Sequence, residues 1–286
     1  MGDLRDIVDK KFTLPAPGKL NLCLNILGRR PDGYHELQTA FQIISIADSI
    51  SFELADSIEV ICDIDIEPHE NLVYRAAKSL LELSSGNIGA KLSLKKNLPV
   101  GAGLGGGSSD AATTLVGLNY LWQLGLNSAE LRRIGAVLGA DVPLFVFGHS
   151  AWAEGIGEKL SVLQLPDRYF LILIPGCSIS SAEIFRHSDL TRDSSAITIA
   201  RFLEYGSGND CEAIARKLYP EVDEALLWLN KWGPAKMTGT GSCVFLAFES
   251  MKEAELVQKL VPAKWAAFVS EGLNDSPLLE AVDRLS

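Results

Sequence analysis

The stretch "LPVGAGLGGGSSDAATTL" (residues 98–115) decides how the chain is interpreted, because five glycines fall between positions 101 and 107. Glycine has no Cβ, so its backbone N–H groups can approach a bound group closely. The helix-like pattern that follows adds a positive helix N-terminus, which favours an anion. The stretch therefore predicts a polyphosphate-binding loop. The loop consists of Pro99, Val100, Gly101, Ala102, Gly103, Leu104, Gly105, Gly106, Gly107, Ser108 and Ser109.

Two common nucleotide-binding motifs do not account for this loop. The spacing Gly101-x-Gly103-x-x-Gly106 matches the dinucleotide fingerprint, but that motif needs an acidic residue about 20 positions later at the end of a strand. Glu130 lies in a helical pattern instead. A Walker A loop requires a Lys-Ser/Thr pair after the glycines, and none follows here. A mobile surface loop is the structural alternative, and the well-patterned helix after the glycines favours phosphate binding over it.

Hydrophobic periodicity predicts intermixed strands and helices around the loop. Residues 19–27, 89–96 and 166–176 have the apolar pattern of strands, and residues 70–84 have apolar side chains at helical spacing. The apolar segments do not alternate steadily between strand and helix, as a parallel sheet would require. The sequence therefore predicts an α+β fold.

The segment after the glycine loop predicts two helices and a pair of strands. One face of the first helix runs from Ala111 to Trp122, with Ser108 or Ser109 placed to cap it. A second helix is expected from Asn127, in a capping box with Glu130, to about Gly139. The stretches "PLFVFG" (143–148) and "SAWAEG" (150–155) are expected to form paired strands.

Length and composition limit the functional classes. The chain has 286 residues and predicts two domains, at 1–162 and 163–286. Its net charge of -10 opposes nucleic-acid or anionic-membrane binding, although a local site could still take an anionic small molecule. The start of the chain lacks the apolar run of a signal peptide, and five scattered cysteines include no C-x-x-C pair. These features predict a cytoplasmic protein.

Five motifs in order resemble the GHMP kinases, the superfamily that contains galactokinase, homoserine kinase and mevalonate kinase. The glycine loop is accompanied by "PAPGKLNL" (15–22), "GRRPDGYHELQT" (28–39), "LGADVPLFV" (138–146) and "MTGTGSCVF" (237–245). The similarity extends from about residue 15 to residue 279. It implies a first domain like the second domain of ribosomal protein S5, a ferredoxin-like second domain, and ATP with Mg²⁺ as cofactors. It also implies that the loop at 238–245 packs against the ATP loop.

The resemblance implies that Lys19 and Asp141 are the catalytic residues. By position alone, Lys19 would be a solvated residue of a strand and Asp141 a turn or capping residue. In the family, the matching aspartate takes the proton of the acceptor hydroxyl. The matching lysine orients that hydroxyl, keeps the aspartate ionised and balances developing negative charge.

The resemblance also implies a substrate that carries a cytosine. The residues matched to the substrate pocket are Asn21, Tyr34, His35, Ser181 and Phe185. Tyr34 and Phe185 would stack on the base, His35 would hydrogen-bond to it, and Asn21 would contact the sugar-alcohol end. Ser181 stands where the family often has Thr. Asn71, Leu72 and Lys95 or Lys96 are candidates for the adenine of ATP.

The expected reaction is phosphorylation of the 2-hydroxyl of a cytidine diphosphate sugar alcohol by ATP, on the non-mevalonate route to isoprenoid precursors. The protein is expected to be a monomer or a weak homodimer, without a membrane or nucleic-acid partner. Two alternatives stay open from the sequence. One is a GHMP kinase for a smaller alcohol such as homoserine or mevalonate, and the other is a non-catalytic nucleotide or RNA binder on an S5-like fold.

Overall fold

The computed structural model describes residues 11–64, 67, 70–84 and 88–285. The first ten residues, which were predicted to lack the apolar run of a signal peptide, lie outside the described part. Ten strands are found within it: β1 (Phe12–Arg29), β2 (His35–Ala55), β3 (Ile58–Cys62), β4 (Gly89–Lys95), β5 (Ala151–Glu154), β6 (Lys159–Val162), β7 (Tyr169–Ile174), β8 (Lys236–Met237), β9 (Val244–Phe248) and β10 (Ala266–Leu273).

Ten helices lie in the same residues: α1 (Leu72–Leu81), α2 (Gly106–Leu121), α3 (Ser128–Leu138), α4 (Val142–Phe147), α5 (Ser181–Arg186), α6 (Ile199–Tyr205), α7 (Glu212–Leu218), α8 (Pro220–Leu229), α9 (Met251–Gln258) and α10 (Pro277–Asp283). Among these helices, none combines the length and apolar character needed to cross a bilayer.

The strands join into one sheet with the order β3-β4-β2-β10-β7-β9-β8. In addition, β1 and β5 pair with β2, and β6 pairs with β5. Strand β10 connects the two halves, because its start pairs with β7 and its end pairs with Ile43 and Ile44 of β2. The β3–β4 pair is parallel, and the other described strand pairs are antiparallel. This mixed architecture, antiparallel for the most part, confirms the predicted α+β class.

Two separate apolar cores lie on the sheet. The first includes buried side chains of β2, β4, α1, α2 and α4, among them Phe52 and Leu115. The second includes side chains of β7, β9, α7 and α8. Helix α10, at the far end of the chain, returns to the first core through Leu278. Two cores agree with a two-domain organisation, while the boundary near residue 162 stays a prediction.

A third, smaller core joins the glycine loop to both halves of the sheet. Leu98, Ala102 and Leu104 of the loop are buried there against Leu20 of β1 and Phe245 of β9. The apolar residues between the glycines therefore anchor the loop, because each would lose its burial if the loop moved into solvent. The glycine loop is thus a packed part of the fold.

Helix α2 begins earlier than its sequence predicts, and the prediction of a serine cap was wrong. Gly105 is the N-cap residue, with φ of 74°, and no side chain caps the helix. A left-handed glycine turns the chain before either serine is reached, so Ser108 and Ser109 lie inside the first turn. The predicted capping box of α3 is confirmed, with Asn127 as N-cap, Glu130 as its partner and Gly139 at the C-cap.

The stretch "PLFVFG" was wrongly predicted as a strand and forms helix α4. Its residues from Val142 to Val146 are all buried, and a short run that is apolar on every side does not distinguish strand from helix by periodicity. Pro143 lies in the first turn, a position that favours a helix start. The neighbouring "SAWAEG" does form a strand, β5, which pairs with β2 and β6.

We expect Gly117→Ala to destabilise the protein, although alanine normally favours a helix over glycine. A Cβ at Gly117 would lie 2.3 Å from the ring of the fully buried Phe52. Overpacking of this kind costs about 1–3 kcal/mol. The free energy of unfolding in urea measures the loss. Gly107→Ala is the matched control, because the nearest neighbour of its Cβ is Leu72 at 3.4 Å. Equal stability of the two variants would contradict the prediction.

Candidate active site

A cavity of about 1360 Å³ lies where β1, the glycine loop and the loop between β8 and β9 meet. The loop residues 99–108 all line it, together with both predicted catalytic residues. The five residues predicted for the substrate pocket line the same cavity. Of the predicted loop residues, Ser109 does not line the cavity, because its side chain is fully buried. The structure therefore brings nearly all of the predicted site together in one place.

Lys19 and Asp141 meet at the cavity wall. The Nζ atom of Lys19 lies 3.4 Å from Oδ2 of Asp141, and the lysine is only 3% exposed. The backbone of Asp141 occupies the N-cap position of α4, yet its carboxylate makes no capping hydrogen bond. With about a third of its side chain exposed, that carboxylate is accessible from the cavity. A carboxylate that could accept a proton and a positively charged ammonium group therefore lie next to each other.

Two further acceptors hold the Lys19 ammonium. It donates to Oδ1 of Asn21 at 2.5 Å and to the carbonyl oxygen of Gly103 at 2.9 Å. Asn21 lies two residues along the same strand and therefore on the same face of β1. Its amide nitrogen donates to the hydroxyl of Thr39 at 2.9 Å, which fixes the orientation of the amide. A buried charge is tolerated when it is paired and hydrogen-bonded, as this ammonium is.

The position of Asn21 bears on its predicted contact with the sugar-alcohol end of a substrate. The residue lines the cavity, but it is 4% exposed and both ends of its amide already have partners. The contacts of the described residues make Asn21 a support for Lys19. A direct contact with substrate stays a prediction.

The glycine loop approaches the second loop so closely that side chains do not fit. Gly103 has φ of 82°, and a Cβ there would lie 2.7 Å from the carbonyl oxygen of Thr238 and 2.8 Å from that of Gly241. The backbone N–H of Cys243 donates to the carbonyl of Ala102 at 3.1 Å. The loop at 238–245 therefore packs on the glycine loop, as the resemblance implied.

The positive end of α2 faces the same cavity. Gly105, Gly106 and Gly107 line it at the helix start, where backbone N–H groups lack partners within the helix. A 16-residue helix adds the partial positive charge of its dipole at this end. Free N–H groups, a positive dipole and absent side chains together fit a polyphosphate.

A buried cluster of three charged residues connects α2 to the start of the glycine loop. Lys96 donates to the carboxylates of Asp48 and Asp110, the latter at 2.6 Å. Asp48 also accepts from the backbone N–H groups of Asn97 and Leu98, so it fixes the start of the glycine loop. Burial raises the pKa of Asp110 above its ordinary range, and the adjacent ammonium opposes that shift. Lys96 is therefore committed to two carboxylates.

The candidates for adenine occupy different surroundings. Asn71 and Leu72 line the cavity at the start of α1, where the Asn71 side chain accepts from the N–H of Val73. Lys96 lines the cavity from within the charge cluster, whereas Lys95 does not border it. These positions agree with an adenine pocket near α1, which stays a prediction.

The other end of the cavity is aromatic. Tyr34 lies in the turn before β2 and is 59% exposed, which leaves its ring available. His35 stacks on Phe185 of α5, with ring centroids 5.2 Å apart and an angle of 24°. The hydroxyls of Ser181 and Thr240 are 2.8 Å apart and connect α5 to the second loop. A planar ring would find aromatic surfaces here.

Sequence reasoning missed several residues that line the cavity or contact its lining residues. Thr39 and Phe41 face it from β2, and the Phe41 ring centroid lies 5.6 Å from Nζ of Lys19. Their placement depends on bulges in the β1–β2 register, which the sequence does not reveal. Arg192 was missed because it lies in a segment without regular structure. Thr238 lay within the quoted "TGTGSC" motif, and its hydroxyl accepts from the N–H of Asn21.

In the part of the chain that the structure describes, no three His, Cys, Asp or Glu residues are grouped as metal ligands. Magnesium in nucleotide enzymes is commonly held by the phosphates with one or two protein carboxylates. Among the carboxylates that line the cavity, that of Asp141 is about a third exposed and lies beside Lys19. The donor set therefore fits a magnesium ion that arrives with phosphates.

Two curated relatives are named 4-diphosphocytidyl-2-C-methyl-D-erythritol kinase. The protein of Mannheimia succiniciproducens is 46% identical over 278 residues, which cover 96% of this chain and 92% of the relative. That of Pseudomonas aeruginosa is 48% identical over 278 residues, which cover 96% and 99%. A solved structure of a 4-(cytidine 5'-diphospho)-2C-methyl-D-erythritol kinase matches with a TM-score of 0.82 and 33% identity, covering 91% of this chain and 99% of that chain.

Family models agree with these similarities. The model of the GHMP kinases N terminal domain matches residues 71–149, a range that contains the glycine loop and Asp141. The model of the GHMP kinases C terminal matches residues 189–267, which contain the second loop. With both models matched in order and relatives aligned over almost its whole length, the chain belongs to the GHMP kinases and is a small-molecule kinase.

Proposed function

We propose that this kinase transfers the γ-phosphoryl group of ATP to the 2-hydroxyl of 4-diphosphocytidyl-2-C-methyl-D-erythritol, a step of the non-mevalonate route to isoprenoid precursors. The observation that carries the proposal is the contact between Lys19 and Asp141, 3.4 Å apart, at the wall of a cavity with a glycine loop and an aromatic end. The names of the relatives support the choice of substrate.

We place the two substrates at the two ends of the cavity. The ATP phosphates lie against the N–H groups of the loop from Gly101 to Gly107 and the start of α2. Mg²⁺ supplies charge neutralisation on the phosphates when it is bound. The cytosine lies at the aromatic end, among Tyr34, His35 and Phe185. The acceptor hydroxyl then comes between them, beside Lys19 and Asp141.

Asp141 accepts the proton of the 2-hydroxyl while the oxygen of that hydroxyl bonds to the γ-phosphorus. The bond from that phosphorus to the bridging oxygen of the β-phosphate breaks, and ADP leaves. The Lys19 ammonium orients the hydroxyl and balances charge on the transferred group. Because Asn21 and Gly103 already hold this ammonium, it needs little reorganisation during the reaction.

A coupled assay of ADP release tests the proposal directly. The enzyme is given ATP and Mg²⁺ with 4-diphosphocytidyl-2-C-methyl-D-erythritol, homoserine or mevalonate. We expect turnover with the cytidyl substrate and at most background with the other two alcohols, which carry no base for the aromatic end. Preferred turnover of homoserine or mevalonate would overturn the substrate assignment and leave the kinase assignment intact.

We expect Asp141→Asn to abolish most turnover while ATP still binds. The amide keeps the shape of the side chain but does not accept the proton, and general-base catalysis contributes about 10²- to 10⁴-fold. The kcat from the coupled assay and the Kd for ATP from a nucleotide titration separate the two effects. Asp167→Asn is the matched control, an exposed aspartate outside the cavity. A near-normal kcat in Asp141→Asn would remove this residue as the base.

We expect Tyr34→Ala to raise the KM for the cytidyl substrate and to leave the KM for ATP unchanged. Stacking a base on an aromatic side chain is worth about 1–3 kcal/mol, which corresponds to about 5- to 150-fold. Steady-state kinetics with each substrate varied in turn measures both constants. Tyr205→Ala, at a 75% exposed tyrosine outside the cavity, is the control. An unaltered KM for the cytidyl substrate would contradict the placement of the cytosine.

A further inference from the structure

Arg192 holds the aromatic end of the cavity together. Its Nη2 donates to the carbonyl oxygens of Phe185 at 2.9 Å and His187 at 2.8 Å, and its Nη1 donates to that of Leu190 at 3.1 Å. Its Nε donates to Nε2 of His35 at 3.1 Å. All three nitrogens of the guanidinium are thus used, and the group is fixed against the end of α5.

The bond from Arg192 determines the tautomer of His35. A guanidinium has donors only, so the Nε2 atom that receives its N–H must present a lone pair. In a neutral imidazole the proton is then on Nδ1. Nδ1 has no hydrogen-bond partner in the described part of the chain, and His35 lines the cavity. The free nitrogen of the ring is therefore a donor.

The surroundings of His35 also keep its ring neutral. Burial lowers the pKa of the imidazole below its ordinary value of 6.5, and the positive charges of Arg192 and Arg29 lower it further. Stacking on Phe185 fixes the plane of the ring. A neutral ring of fixed plane and fixed tautomer offers one hydrogen-bond donor in one direction.

We propose that Arg192 is a positioning residue that locks His35 in the Nδ1–H tautomer and so makes the cavity selective for a base with an acceptor at the facing position. The N3 atom of cytosine is such an acceptor. Uracil carries an N–H at N3, which would meet the N–H of His35 head on. The tautomer follows from contacts within the chain, whereas the choice of base rests on the proposed function.

The tautomer is measurable by ¹⁵N NMR of the histidine rings in the substrate-free enzyme at pH 7.5. The chain has four histidines, and loss of one signal in His35→Gln assigns His35. We expect the wild-type ring in the Nδ1–H form. In Arg192→Met we expect the Nε2–H form, which a free imidazole prefers in water. Arg201→Met, an exposed arginine outside the cavity, should leave the signal of His35 unchanged.

Kinetics with the cytidine and uridine forms of the diphosphate substrate test the selectivity. In Arg192→Met, we expect the KM for the cytidyl form to rise by about 3- to 10-fold, the value of one neutral hydrogen bond. The kcat and the KM for ATP should change much less, because Lys19 and Asp141 make no contact with Arg192. The preference for cytidine over uridine should fall by about 10-fold. Arg201→Met should leave all of these constants as they are.

The outcomes separate this proposal from the proposed function. An Nε2–H signal for wild-type His35 would overturn the role of Arg192, whether or not the variant folds. An Nδ1–H signal that survives in folded Arg192→Met would overturn it too. If the tautomer behaves as expected but the cytidyl substrate is not phosphorylated, the proposed function fails and the positioning role stands. An unchanged cytidine preference in Arg192→Met would overturn the selectivity.

Discussion

The buried ammonium of Lys19 is the constraint on which the site depends. A charge taken out of water is stable only where acceptors surround it, and removing one acceptor costs several kcal/mol. Here the acceptors come from three different segments: Asn21 on β1, Gly103 in the glycine loop and Asp141 before α4. The solvation of one charge therefore connects the strand, the glycine loop and the Asp141 carboxylate. The same contacts that stabilise the fold also hold the groups that we propose for phosphoryl transfer.

The glycines act through close contact and backbone geometry, and mobility is not what they provide. Gly101, Gly103 and Gly105 have positive φ, a region that other residues enter at a cost. At Gly103, moreover, the carbonyls of the second loop lie where a side chain would begin. Ala102 and Leu104 alternate with these glycines and are buried in the core between the two halves of the sheet. Alternating burial and positive φ hold the N–H groups in place before a nucleotide arrives, which lowers the entropy lost on binding.

Local sequence predicted the elements well wherever one face was apolar. Helix α3 was predicted with its cap and its end, because Asn127, Glu130 and Gly139 each act within one or two turns. The prediction for the residues of α4 was wrong, because burial on all sides removes the periodicity that distinguishes helix from strand. Lys19 on β1 and Asp141 were identified as site residues by resemblance to a family. Their contact depends on the tertiary structure and could not be predicted from local sequence. The β1–β2 register contains three shifts, so cross-strand neighbours such as Phe41 do not follow from spacing.

The two ends of the cavity are built by different means, and this has a consequence for specificity. The end around Lys19 and Gly103 is made of buried residues whose contacts also join the halves of the sheet, so a change there disturbs the fold. The aromatic end is made of a turn with the exposed Tyr34 and of a segment held by Arg192. This arginine donates both to a carbonyl at the end of α5 and to the ring of His35. Under the proposed function, alterations in that segment would change which ring is accepted while Lys19 and Asp141 keep their positions. A single kinase scaffold can therefore serve different alcohols by exchanging residues at one end of its cavity.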